Sequence, residues 1–442
     1  MSNTNVAVSK ELWRGTFDSD SVEHETPSVG IQASIDLWQS TGDQHYADKA
    51  VEMAKIILAC QERKRPDWET PLLGFFYTST NKSRVLHYCH RGREQAPILA
   101  LTRLCEAFPN HPDWMKWYSA VALYSEYLKA IAKYTEPYAM MPASIYQADE
   151  YLSVPDSRRE SFRKQVLNGV PLGNGRYLRL FPVWLDYRGN FGTILPQAQA
   201  LAVAAHLRGN LESATLAQHQ AEWIVGRNPF SQSTMYGEGY DFPSLYAPFP
   251  GNLVGALPVG IQTRAENDVP YWPVQATWTY KEVWVHPVAR WIWLMRDLQG
   301  PALVEGKADA AVQFTTAGPK QKTILIIHPV NGHVRTTLPE GRYLVKSHGE
   351  QQMQVCLPAG VYHLDLRSGR MLDFELSTIW HKDSQVRIRL TARGEGSHYF
   401  NVRCDNLTVG DSKKELRLKR GSVGALEWSG RIDSLDSPWV IV

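Results

Sequence analysis

The sequence predicts a mainly α fold of paired helices, followed by a C-terminal β-sandwich-like domain. Three observations carry that expectation. From about Pro27 to Gly300 apolar residues recur at spacings of three and four, the period of a helix with one buried face. The periodic segments come in pairs joined by short turns rich in Gly, Pro and Asn, the pattern of αα-hairpins. After Pro301 the apolar runs shorten to strand length, and turn residues punctuate them.

The helices follow in order. Residues 28–40 place Val29, Ile31, Ile35, Leu37 and Trp38 before a stop at Thr41-Gly42-Asp43. Residues 46–61 carry Ala47, Ala50, Met53, Ala54, Ile57 and Leu58 on one face. A second pair spans residues 94–108 and 113–134 around Pro109-Asn110-His111-Pro112. A third spans residues 193–207 and 210–225 around Arg208-Gly209-Asn210. The last helix runs to Leu298. Its Pro287 fits only a first turn, so it starts near Val285 or His286 and leaves Glu282 at its lip. The count is about eight, and repeated hairpins suggest a toroid with a cleft at one end.

Beyond residue 300, strands are expected at residues 323–328, 341–345, 352–357, 361–366, 385–390 and 398–402. The organisation is a lead-in over residues 1–27, a helical domain over 28–300 and a β-rich accessory domain over 301–442.

Composition narrows the function. The formal net charge is +2, which gives no electrostatic case for nucleic acid or an anionic membrane as a partner. Mean hydropathy is −0.33, and no run approaches the roughly 20 apolar residues of a membrane span. The five cysteines are scattered without a C-x-x-C pair, which fits a reducing compartment rather than a disulfide framework or zinc site. Residues 1–10 lack a signal-peptide core, so the chain as it stands reads as cytoplasmic; an N-terminally shortened chain would instead come from a secreted or periplasmic protein. Oligomeric state is not legible.

Of 15 tryptophans, 12 precede residue 300, a density that suits both a large core and a sugar-gripping surface. Glu282 stands among Tyr280, Trp284 and His286. One carboxyl among aromatic rings suits a general acid acting on a sugar, because apolar surroundings favour the protonated form and flat rings stack on pyranoses. A packed helix end explains the same residues.

The run Gly226-Arg227-Asn228-Pro229, with Ser233, Gly237 and Gly239 at their offsets, resembles the G-x-N-P-x-x-x-S-x-x-x-G-x-G signature of glycoside hydrolase family 9. That is the cellulase family of the six-hairpin glycosidases, built on an (α/α)6 toroid. Asn252-Leu253-Val254-Gly255 resembles its L-V-G-G segment, Tyr280-Lys281-Glu282-Val283 its N-E-V block, and Glu25-Thr26 its E-T-A-A-A helix. The likeness covers roughly residues 25–298. It implies inverting hydrolysis of β-glycosidic bonds in a glucan-type polysaccharide or oligosaccharide, with Glu282 as general acid opposite a carboxylate that activates water. Tyr240, Tyr271, Trp272, Trp278 and Tyr280 would contact the carbohydrate. No cofactor is implied; a structural calcium is compatible, and any metal requirement is open.

Three departures stand out. The family's D-A-G-D motif, which carries its base, does not occur in these residues. Residues 242–248 replace its H-H-R motif, and Lys281 replaces the asparagine before the acid. With about eight helices against twelve, the chain resembles an N-terminally shortened member that is inactive alone if the missing hairpins held the base.

Asp18 and Asp20, in a cluster with Glu23 and Glu25, are candidates for a replacement base; helix capping and a solvated loop explain the cluster as well. His90, Arg91 and Arg93 form a second polar concentration that could clamp a carboxylate or sugar hydroxyls, or pair structurally with Glu94. Two other functions fit parts of the sequence. A toroid followed by a β domain also builds polysaccharide lyases, for which His87, Tyr88, His90, Arg91 and Arg93 are suitable types. A non-catalytic sugar-binding remnant would explain the missing base motif.

Overall fold

The computed structural model describes residues 23–87, 95–183, 189–246, 253–277, 281–298, 300–347, 352–367, 371–381, 383–434 and 436–442. Among them are eight α-helices: α1 (Glu25–Thr41), α2 (Gln44–Ala59), α3 (Ala96–Ala107), α4 (Trp114–Ala132), α5 (Asp156–Leu167), α6 (Phe191–Arg208), α7 (Leu211–Ile224) and α8 (Val285–Leu298).

Two of the predicted hairpins share one mechanism. Gly42 ends α1 at φ 71°, and Asp43 starts α2 by accepting the His45 N–H. Gly209 ends α6 at φ 60°, and Asn210 starts α7 by accepting the Ser213 N–H at 2.9 Å. A left-handed glycine followed by an Asx cap reverses the chain within two residues. The last helix begins at Val285, so Pro287 sits in its first turn.

The helices share one core, in which Ile31, Ile57, Leu101, Trp117, Ile194, Leu201, Trp223 and Leu294 are buried. Helix α6 is buried nearly all round, as expected of a helix surrounded by others. No described helix is long and apolar enough to cross a membrane.

Helix α5 was not anticipated. Its sequence is mostly charged, and only Phe162, Gln165 and Val166 are buried, so no apolar period marks it. It packs over an equally unforeseen sheet in the order β1 (Ser144–Gln147), β3 (Arg176–Arg179), β2 (Val170–Gly173). Two short strands follow, β4 (Gln262–Thr263) and β5 (Pro270–Tyr271).

The helical part stops at Leu298 and strand β6 (Ala302–Lys307) begins four residues later. Strands β7 (Val312–Thr316), β8 (Thr323–Ile327), β9 (His333–Leu338), β10 (Gly341–Lys346), β11 (Gln352–Leu357) and β12 (Gly360–Asp365) form two sheets, in the orders β11-β10-β7-β8 and β12-β6-β9. They face each other across Ala302, Val304, Phe314, Val334, Tyr343 and Val345. A separate core, with Ile388, Leu390, Leu407 and Trp428, lies under β13 (Asp373–Trp380), β14 (Gln385–Asn401), β16 (Leu407–Val409) and β17 (Lys413–Ile432).

Strands occupy nearly as many residues as helices, so the chain is α+β rather than mainly α. The two strands expected at residues 385–390 and 398–402 are one, β14. Gly394 and Gly396 mark a register shift against β17 instead of a strand end. Strands β15 (Arg403–Asp405) and β18 (Trp439–Ile441) pair with each other and reach the helices. Arg63 donates to Asp405 at 2.5 Å, and so does the buried Ser119 hydroxyl.

Candidate active site

Glu282 sits on a short extended segment between α8 and two loops. Tyr246 lies on one side: its N–H donates to the Lys281 carbonyl, and the Val283 N–H donates to its carbonyl, each at 2.9 Å. Residues 257–259 lie on the other. There Val259 N–H donates to the Glu282 carbonyl at 3.0 Å, and Trp284 N–H donates to the Leu257 carbonyl at 3.3 Å. The Glu282 backbone is thus the centre of a three-ply arrangement. Its half-buried side chain accepts the Trp284 indole N–H on Oε2 at 2.7 Å. That bond fixes one carboxyl oxygen and leaves the other for a second partner.

The glycine-rich signature supports this segment from behind. Asn228 is buried; its Nδ2 donates to the Trp223 carbonyl at 2.8 Å and the Gln232 carbonyl at 2.9 Å, and its Oδ1 accepts the Phe230 N–H. Asn228 therefore satisfies the carbonyl end of α7 and shapes the turn beyond it. Gly237, at φ 79°, lies so close to Val254 that an added Cβ would come within 2.8 Å of it. Tyr236 then exchanges backbone bonds with Gly255 and Ala256, one residue short of the segment that pairs with Glu282. Gly226, Arg227, Pro229, Ser233 and Gly239 belong to the same turn, where Arg227 pairs with Glu222 at 3.3 Å and Ser233 accepts the Met235 N–H.

Lys281 replaces the expected asparagine and is fully buried. Its ammonium donates to the Val274 carbonyl at 3.0 Å and lies 4.7 Å from the Trp272 ring centroid. No described carboxylate pairs with it, and burial pulls it down to about 8. Trp272 in turn donates to Gln232 at 2.9 Å, and Gln232 to Asp241 at 3.1 Å, which ties the Lys281 side of the segment to the signature turn. One face of Trp272 is therefore taken by the lysine.

Tyr240 is fully exposed on the loop after the signature, and Tyr271 is half-buried beneath the Arg264 guanidinium at 5.5 Å. Asp18, Asp20, His90, Arg91, Arg93, Trp278 and Tyr280 lie outside the described residues. No cluster of three metal-ligating side chains occurs among the described residues.

Sequence reasoning did not anticipate four contributions, three from single residues and one from a pair. Asn190 Oδ1 accepts the Ile261 N–H at 3.0 Å and holds the loop of Val259 to the start of α6. Gly260, at φ 113°, faces that start so closely that a Cβ would meet Phe191 N at 2.5 Å. Asp268 accepts the Leu180 and Phe181 N–H groups and pairs with the buried Arg179 at 3.1 Å. An isolated Asn or Asp in a loop gives no periodic signal. The last is a pair: His87, named only for the lyase alternative, meets the buried Glu150 at 2.6 Å and stacks on Tyr146 at 4.2 Å. Burial opposes ionisation of Glu150, but the histidine and a backbone N–H hold its carboxyl below the usual range.

No family model and no curated protein matches the chain. Among solved structures, the cellulase Cel9M of C. cellulolyticum is 15% identical, with 60% of this chain and 48% of that one covered, at a TM-score of 0.34. A Bacteroides ovatus GH9 protein is 12% identical over 62% and 40%, at 0.36. Endoglucanase CelQ from Clostridium thermocellum, complexed with cellobiose and cellotriose, is 11% identical over 93% and 70%, at 0.28. The chain spans about half the length of Cel9M and less of the Bacteroides protein. Its similarity to family 9 cellulases is distant.

Proposed function

We propose that this chain acts on carbohydrate, with Glu282 as the general acid of an inverting β-glycosidase and residues 28–300 as the unit that carries the chemistry. The observation that supports this reading most is the fixing of Glu282. Its backbone is bonded on both sides, and one carboxyl oxygen is held by Trp284. A general acid must meet the glycosidic oxygen with its proton already aimed, so a carboxyl anchored through one oxygen and free at the other suits the task. Tyr240 and Tyr271 would offer rings to sugar units, and the free face of Trp272 a third.

Inversion also requires a carboxylate about 6.5–9.5 Å away to activate water. Asp18 and Asp20 are the candidates within this chain. The absence of the D-A-G-D motif from the sequence supports a second reading, in which the chain binds sugar without cleaving it.

Following cellotetraose by proton NMR tests both. Release of shorter sugars with an α-configured new reducing end supports inverting hydrolysis. A β-configured product contradicts inversion, and an intact substrate that nonetheless binds leaves only the sugar-binding reading.

A further inference from the structure

The sheet in the order β13-β14-β17-β16 ends on β13, and among the described residues only β14 is hydrogen-bonded beside it. Its outer edge therefore carries backbone N–H and C=O groups that belong to no ladder. The strand is eight residues long, and all but Leu376 and Thr378 are exposed. Native edges are usually blunted by proline, by a bulge or by charge along the strand. Strand β13 has no proline, no register shift against β14 and no charge from Leu376 to Trp380.

Its apolar face is left short of cover. Phe374, Leu376, Thr378 and Trp380 stand opposite Ala392, Leu390, Ile388 and Val386 of β14, all four buried in the core under this sheet. Residues two apart share a face, so Phe374 and Trp380 lie on that same core side. Yet Phe374 is 50% exposed and Trp380 45%, because the core ends at the sheet edge.

The order of residues in the strand says what covers it. Asp373 and Glu375 stand at its start, and His381 and Lys382 follow its end. An antiparallel copy of the same strand meets it with those charges exchanged, whereas a parallel copy in register would bring like charges together. A two-fold axis through Ser377, perpendicular to the sheet, keeps the faces aligned. It sets Phe374 opposite Trp380 of the second copy, Leu376 opposite its Thr378 and Asp373 opposite its His381, and each pair occurs twice. Glu375 falls opposite Ile379, with the exposed Arg387 of β14 next in the row. Aromatic and opposite-charge pairs across strands are the ones that stabilise an antiparallel seam.

We infer that β13 is an interface between two copies of this chain, which join antiparallel, edge to edge, into one eight-stranded sheet that covers Phe374 and Trp380. One eight-residue strand per copy makes a small interface, below about 1,200 Å² in total. The dimer is therefore transient, with a Kd of about 1–100 µM. It uses no residue of the Glu282 segment and does not depend on what the chain cleaves or binds.

Sedimentation of the full chain from about 1 µM to about 1 mM tests this, and the mass should rise from monomer toward dimer across that range. Trp380→Ser and Asp373→Lys change exposed side chains, so the melting temperature should hold while each raises the Kd by about tenfold or more. His381→Asp alone should also weaken the dimer. Combined with Asp373→Lys it restores opposite charges across the seam and should recover much of the loss. A chain that stays monomeric throughout overturns the inference. So does a dimer that the single substitutions leave unchanged, because the contact would then lie elsewhere. A charge swap that recovers nothing overturns the antiparallel pairing.

Discussion

The segment that carries Glu282 and the packed helices α3 and α6 are built on opposite terms. Around Glu282 the chain is tied by many bonds: backbone bonds run to Tyr246 and to residues 257–259, Trp284 holds one carboxyl oxygen, and Asn190 and Asn228 spend their amides on neighbouring loops. On helices α3 and α6 the buried Thr102 hydroxyl and Gln199 Oε1 have no partner among the described residues. A carboxyl anchored through one oxygen on a bonded backbone is aimed, which is what a proton donor needs. Sealed polar atoms without a partner do the opposite: they have lost water and gained no bond, which lowers stability.

Substitutions can break this contrast. The largest effect should come from Asp268→Ala. It would leave Arg179, fully buried, without its partner and free two backbone N–H groups, for a loss of about 3–5 kcal/mol in denaturant unfolding. Burial pushes the Asp268 carboxyl up and the Arg179 guanidinium down, so the pair itself adds little and the loss comes from the stranded charge.

Next comes a pH effect. Lys281 titrates at about 8 when folded and near 10.5 when free. Between those values the unfolded chain holds more protons, so this group makes stability rise as pH rises from 8 to 10.5, by at most about 3 kcal/mol. Melting curves across that window should show the rise, and Lys281→Met should remove it while stabilising the chain at neutral pH.

Asn228→Ala should cost about 1–3 kcal/mol, because one buried and one part-buried carbonyl lose their donor. The smallest effect belongs to helix α3. Thr102→Val removes a hydroxyl that bonds to nothing, so stability should stay the same or rise by up to about 1 kcal/mol. A clear loss there would mean that the Thr102 hydroxyl is bonded after all, and the contrast would fail.

Much of this architecture is legible in the sequence where a local rule acts alone. Gly42-Asp43 and Gly209-Asn210 mark hairpins because a left-handed residue and a cap are required at those positions. Pro287 marks the first turn of α8 because proline fits nowhere else in it. Helix α5 is illegible because it buries only three side chains, and β14 reads as two strands because its glycines signal a bend that could equally be an end. At the site, Glu282 and the signature turn are visible as residues. What holds them is not: Asn190 and Asp268 act across 71 and 88 residues, and nothing in the neighbouring residues announces their partners.

The central claim is that Glu282 is a fixed proton donor. The most direct measurement is the rate of reducing-end release from cellotetraose by the parent chain, by Glu282→Gln and by Glu427→Gln, a control on an exposed carboxyl of β17 far along the chain. The account predicts that Glu282→Gln lowers the parent rate by about 10²-fold or more while the control keeps it. A parent chain that cleaves equally well with Glu282→Gln would contradict the claim.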